Sequence, residues 1–157
     1  MDAGFVLRVA VEGGPFDEAA EIAALRASRR DVGAVVSFLG LCRDEGGTLH
    51  ALEIEAYPPM AEAEIRHIAG EAARRWPLVA LTVLHRFGTV IPGEPIVLVA
   101  AAATHRGDAF AAVELVMDFL KTDAPFWKKE HLADGSEPHW VSARESDRQR
   151  KARWEGG

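Results

Sequence analysis

Three lysines, Lys121, Lys128 and Lys129, stand around a proline and two aromatic residues in the stretch KTDAPFWKKEHLADG, Lys121 to Gly135. The chain as a whole is acidic, with 24 Asp and Glu against 18 Lys and Arg and a formal net charge of -6. A solvated charged face has no need of Phe126 and Trp127 between its cations. Ammonium groups held against apolar rings lose hydration, and such a place suits reaction or anion binding. If the segment is extended, Lys128 and Lys129 point to opposite sides, so one of the two turns into a cleft. Two more basic points accompany them. Arg43 follows the apolar run GAVVSFLGLC, and His105-Arg106 falls where a buried run gives way to a long helical pattern. The free N–H groups and positive end of that helix reinforce the arginine, which makes the junction a ready anion site.

Each feature also has a plainer reading. A lone arginine such as Arg43 is usually a surface residue. Many strand-to-helix turns carry a basic residue and no ligand. Lys121 near a helix end compensates the dipole, and lysines beside Trp127 suit an edge strand. The histidines His50, His67, His85, His131 and His139 show no metal-site spacing, so neither a metal nor a cofactor is expected. Cys42 is the single cysteine, which excludes an internal disulfide framework and a multi-cysteine zinc site. It reads as a small buried residue next to Arg43.

The positioning elements follow from hydrophobic period. Strands are expected at Phe5–Val11, Gly33–Leu41, Thr48–Tyr57, Val79–Gly88 and Ile96–Thr104, the last apolar on both faces and therefore central. Asp17 caps a helix running to Ser28, and Pro58-Pro59 open a second, with Met60, Ile65, Ile68, Ala72 and Trp76 on its apolar face. Phe110, Val113, Met117 and Leu120 mark a third, which Pro125 stops. PFWKKEHL is extended and pairs with HWVSA as a hairpin. The order β-α-β-β-α-β-β-α-β-β-α indicates α+β, with a mixed or antiparallel sheet and three to four helices. Residues 1–157 make one domain, whose basic tail, 144–157, is helical and partly frayed at Gly156-Gly157. The acidic N-terminus has no signal-peptide pattern and no apolar run reaches the ~20 residues of a membrane span. A cytoplasmic protein is expected, binding neither nucleic acid nor membrane.

The stretches GAVVSFLGLCRDE, LEIEAYPPMAEAEI, RWPLVALTVLHRFGTVIPGEPIVLVA, THRGDAFAAVELVMDFLKTDAPFWKKE and WVSARESD together resemble the large, catalytic subunit family of molybdopterin synthase. The resemblance runs from about Gly33 to Trp154, and the FLKTDAPFWKKE segment with its upstream HR is its most specific part. It implies an α/β-hammerhead type of α+β fold. It implies an enzyme that converts a cyclic pyranopterin monophosphate, precursor Z, to molybdopterin by adding two sulfurs as a dithiolene. The sulfur arrives as a thiocarboxylate on a small ubiquitin-like subunit ending in Gly-Gly. Two large subunits form a homodimer within a heterotetramer. By the same resemblance Lys121 and Lys128 are catalytic, and Arg43, His105, Arg106 and Arg144 belong to the anion pocket, with Lys129 beside it. GLCR departs from the family at Leu41 and Cys42, and the LADGSEPHW loop is longer than in some relatives, which leaves the pocket rim open. Two other readings stand beside this one. One is a phosphoryl- or acyl-transfer enzyme acting on another phosphorylated metabolite, for which no P-loop or nucleophile–base motif is present. The other is a dimeric scaffold that only holds a glycine-tailed carrier.

Overall fold

The computed structural model describes residues 4–156. Asp2 and Gly157, to which the sequence reading gave parts in the N-terminal pattern and the frayed tail, lie outside them. The elements are β1 (Val6–Glu12), α1 (Glu18–Ala24), β2 (Ala34–Leu41), β3 (Leu49–Ala56), α2 (Pro58–Arg75) and β4 (Leu78–Arg86). They continue with β5 (Gly88–Val90), β6 (Pro95–Ala103), α3 (Arg106–Thr122), β7 (Phe126–Leu132), β8 (His139–Val141) and α4 (Glu145–Ala152). The fold is therefore α+β, with four helices and two four-stranded sheets among the described residues.

The first sheet has the order β1-β4-β6-β2. Only β1 and β4 pair in parallel; β4 with β6 and β6 with β2 are antiparallel. β6 is buried along almost its whole length, because both faces of this sheet are covered. Val97, Val99, Ala101 and Ala103 meet the large core under α2 and α3, while Leu98, Ala100 and Ala102 meet the smaller cores near α1. Gly33 enters β2 so close to β6 that a Cβ there would lie 2.1 Å from the Thr104 carbonyl oxygen. The second sheet, β5-β3-β7-β8, is antiparallel throughout. Its inner face brings Leu52, Ile54 and Val90 to the large core.

Three details correct the sequence expectations. The turn after β4 contains a short strand, β5, that pairs with β3. On α2 the contact stripe is Ala61, Ile65, Ala69 and Ala72, all fully buried, whereas Met60 is exposed. On α3 Phe110 is 58% exposed, and Ala109 and Ala112 face the core instead. In both helices small residues let the backbone pack close to its neighbours, and a large side chain at those positions would push the helix away.

The C-terminal segment is anchored through Lys151, Arg153 and Trp154. The Trp154 indole Nε1 donates to Asp118 Oδ2 at 2.6 Å, and the ring meets Trp76 edge to face at 5.7 Å between centroids. Arg153 also pairs with Asp118 and with Glu114. These contacts lay α4 along α3 and so fix the segment before it, from Ser142 to Arg144.

Candidate active site

The antiparallel second sheet, the last turn of α3, the end of β2 and the segment leading into α4 enclose a cavity of about 700 Å³. Four of the basic residues singled out in the sequence line it: Lys121, Lys128, Arg43 and Arg144. Each arrives for a local reason. Lys121 stands in the last turn of α3, which Thr122 closes by donating its hydroxyl to the Asp118 carbonyl at 2.7 Å. Lys128 lies in the middle of β7, paired with Ile54 on one side and Val141 on the other. The two-residue period of the strand puts Phe126, Lys128 and Glu130 on the cavity face. Arg43 follows β2 and forms an ion pair with Glu45. Arg144 is the N-cap residue of α4.

Lys129 turns the other way. It is paired with Glu53 and Trp140, and its Nζ sits 4.8 Å from the centre of the Trp140 ring. Trp127 and Trp140 are both 52% exposed on that outer face. His105 and Arg106 are exposed at the opposite end of α3 and do not line the cavity. A helix of this length separates them from Lys121 by roughly 25 Å. A single chain therefore brings together four of the seven candidates and leaves three outside.

The electrostatics of the cavity centre on Lys128, which is half-buried. Burial first, and the neighbouring Lys121 charge second, bring its ammonium down to about 8. Asp147 and Cys42 oppose that shift. The Cys42 thiol is 3% exposed and its pKa is raised, by burial and then by Glu94, so it stays protonated. The carboxylates Glu130 and Asp147 also line the cavity. Sequence reasoning missed both, because their positions depend on the hairpin and on the docking of α4. It weighed His85 only as a metal ligand and gave it no other part, although the run VALTVLHRFG sets it as a lone polar ring inside an apolar strand. Among the described residues no group of three or more His, Cys, Asp and Glu could hold a metal ion. No helix there is long and apolar enough to cross a membrane.

A cavity that gathers four basic side chains with the carboxylates Glu45, Glu130 and Asp147, and holds a lysine poised between its charged and neutral forms, can bind an anion and move a proton in the same place. Residues 11–123 match the family model described as MoaE protein. The chain belongs to the MoaE family. A molybdopterin synthase catalytic subunit from Mesorhizobium japonicum is 60% identical, over 98% of this chain and 97% of its own length. Among solved MoaE-type structures, molybdopterin cofactor biosynthesis protein E from Burkholderia multivorans is 49% identical with a TM-score of 0.80, covering 96% of this chain and 97% of that one. Molybdopterin synthase from Staphylococcus aureus superposes with a TM-score of 0.76 at 31% identity, over 85% of this chain and 96% of that one. The family-model match ends at residue 123, before Lys128 and Arg144, while the matches to the Mesorhizobium and Burkholderia proteins run over nearly the whole chain.

Proposed function

We propose that the chain is the catalytic subunit of a molybdopterin synthase, an enzyme of molybdenum cofactor biosynthesis acting in the cytoplasm. The observation that carries this reading is the convergence of Lys121, Lys128, Arg43 and Arg144 on one cavity, with the Lys128 ammonium brought down to about 8. The substrate is precursor Z, whose phosphate supplies the anion that the arginines bind through charge-assisted hydrogen bonds. The sulfur donor is the C-terminal thiocarboxylate of a small ubiquitin-like carrier ending in Gly-Gly. Once the sulfur is bonded to the pterin, water adds to the carrier's acyl carbon and the acyl C–S bond breaks, which leaves a carboxylate on the carrier and puts negative charge on the acyl oxygen in the tetrahedral intermediate. The Lys121 ammonium offsets that charge. Lys128, neutral in a sizeable fraction near pH 8, gives or takes the proton.

His105 and Arg106 join this site from a second copy. β2 is the outer strand of the first sheet and exposes Phe38 and Leu41. It starts opposite Ala103, beside α3's first turn, and ends at Leu41 on the cavity rim. Eight residues of strand span about 27 Å, close to the length of α3. A copy docked along this edge about a two-fold axis sets its own His105 and Arg106 beside the first copy's cavity. That is the homodimer within the proposed heterotetramer, and the exposed Phe110, one turn from Arg106, falls within its reach.

The decisive experiment mixes the purified chain with a thiocarboxylated carrier and precursor Z and measures dithiolene. The expected result is stoichiometric product and a carrier returned as carboxylate. A chain that binds the carrier tightly but forms no dithiolene is a scaffold, and the enzyme reading fails.

A further inference from the structure

A titratable side chain under the cavity is left over by this chemistry. His85, near the end of β4, is 4% exposed. Its ring stacks on Phe126, the first residue of β7, with centroids 3.8 Å apart and planes 19° apart. β4 is an interior strand of the first sheet and β7 an interior strand of the second. The stack therefore ties the two sheets together at the strand that carries Lys128. Phe126 lines the cavity on the same strand face as Lys128, two residues on. The ring's orientation is set by its Nδ1, 2.7 Å from the Arg86 carbonyl oxygen. A carbonyl only accepts, so Nδ1 carries the proton and donates it.

We propose that His85 is a positioning residue for Lys128: its neutral ring, stacked on Phe126, holds β7 against the first sheet and keeps water from the Lys128 ammonium. Neutrality is part of the device. Burial first, then the charges of Lys128 and Lys121, bring the imidazole down to about 3, so no third cation enters the cluster at ordinary pH. The charged and titratable groups that share the cavity with Lys128 are Lys121 of α3, Asp147 and Arg144 at the start of α4, Cys42, Arg43 and Glu45 after β2, and Glu130 of β7 itself. None of these is a neutral ring. Leu52, Ile96 and Leu120 also line the cavity and exclude water, and the His85–Phe126 stack is the part that joins the two sheets beneath Lys128.

The inference rests on Lys128 as the reactive group, but its test does not depend on turnover. The full chain, carrying ¹³C at lysine Cε, is titrated by NMR, and Lys128→Arg identifies the Lys128 signal by its loss. The wild-type midpoint is expected at about 8. His85→Ala opens the stack to water, and the midpoint should rise by about one unit or more toward the free-lysine value. His85→Phe restores a flat apolar ring and should bring the midpoint back to within about half a unit of wild type. Folded His85→Ala protein with an unmoved midpoint overturns the proposal. If His85→Ala does not fold, Phe126→Leu removes the ring from the other side while keeping the site apolar. The same upward shift is expected there, and an unmoved midpoint is equally fatal. Midpoints that rise while dithiolene formation keeps its wild-type pH profile support His85's role and remove Lys128 from the proposed chemistry.

Discussion

The two ends of α3 carry basic residues in opposite surroundings. At its C-terminal end Lys121 meets a lined cavity, the half-buried Lys128 and two flanking arginines. At its N-terminal end His105 and Arg106 lie exposed, with no side-chain cap on the helix. The second end has the helix dipole in its favour, since free N–H groups and an arginine point the same way. The first end sets four cations among three carboxylates, Glu45, Glu130 and Asp147, beside a helix C-terminus. Yet it is the first end where a titration is displaced. Burial, more than the sign of the neighbouring dipole, decides which cations become chemically unusual, because desolvation acts on the charged form wherever the ring and strand walls exclude water. At the exposed end His105 and Arg106 keep their contact with water, beside a helix N-terminus that favours an anion.

The sharpest way to break that contrast is to remove the lysines. Lys128→Ala and Lys121→Ala should each lower dithiolene formation by about 10²–10⁴-fold, the usual weight of a proton-transfer or charge-stabilising group. Circular dichroism and the oligomeric state should not change, since neither side chain is in the core. Lys128→Arg separates the two lysine roles. A guanidinium keeps the charge but cannot lose its proton, so this variant should stay inactive while still binding precursor Z. Near-normal turnover in Lys128→Arg would make Lys128 a charge only.

Arg106→Ala probes the other end and should have a smaller effect. Losing one charge-assisted contact costs about 1.5–3 kcal/mol, or a ~10- to 150-fold rise in KM for precursor Z. Binding of the carrier, titrated separately, should change little. The arrangement across two copies can be read by mixing. Refolded mixtures of Arg106→Ala and Lys128→Ala chains contain mixed dimers with one wholly intact site, if each site draws on both copies. At low precursor Z such mixtures should recover roughly a quarter of wild-type activity. If each chain builds its own site, every site in the mixture is defective and no activity returns.

Much of this frame is legible in the amino-acid order. The apolar run from Ile96 to Ala103 announces a strand covered on both faces, and the two-residue period around Lys128 separates it from Lys129. The hairpin of β7 with β8 also follows from local pattern. What is not legible depends on distant packing. Gly88–Val90 is too short to show a period, so β5 reads as turn. Phe110 fits a three-four spacing as well as Ala109 and Ala112 do, and only the closeness of α3 to its neighbours chooses the small residues. The stack of His85 on Phe126 joins residues 41 positions apart on different sheets, a contact that no spacing encodes. The basic clusters look alike in a linear text, and the length of α3 is what parts them.

A further test measures stability instead of rate. A buried lysine whose pKa lies at about 8 when folded and near 10.5 when unfolded favours unfolding below pH 8. Between those two values the unfolded chain binds more protons, so stability rises with pH and the penalty disappears above about 10.5. The gap corresponds to an upper bound on the order of 3 kcal/mol at neutral pH, one pKa unit being about 1.4 kcal/mol. Lys128→Met keeps the length and apolar stem of the side chain and has no charge to desolvate. It should therefore be more stable than wild type at pH 7, with Tm raised by a few degrees, about 2–4 °C per kcal/mol for a chain of this size. The advantage should shrink as pH climbs from 8 and vanish near 10.5. The same replacement at Lys129 takes a cation off the exposed Trp140 ring and should lower Tm at pH 7 slightly, the opposite sign. Equal Tm for Lys128→Met and wild type at pH 7 would mean that Lys128 is hydrated after all, and the difference drawn between the two ends of α3 would lose its basis.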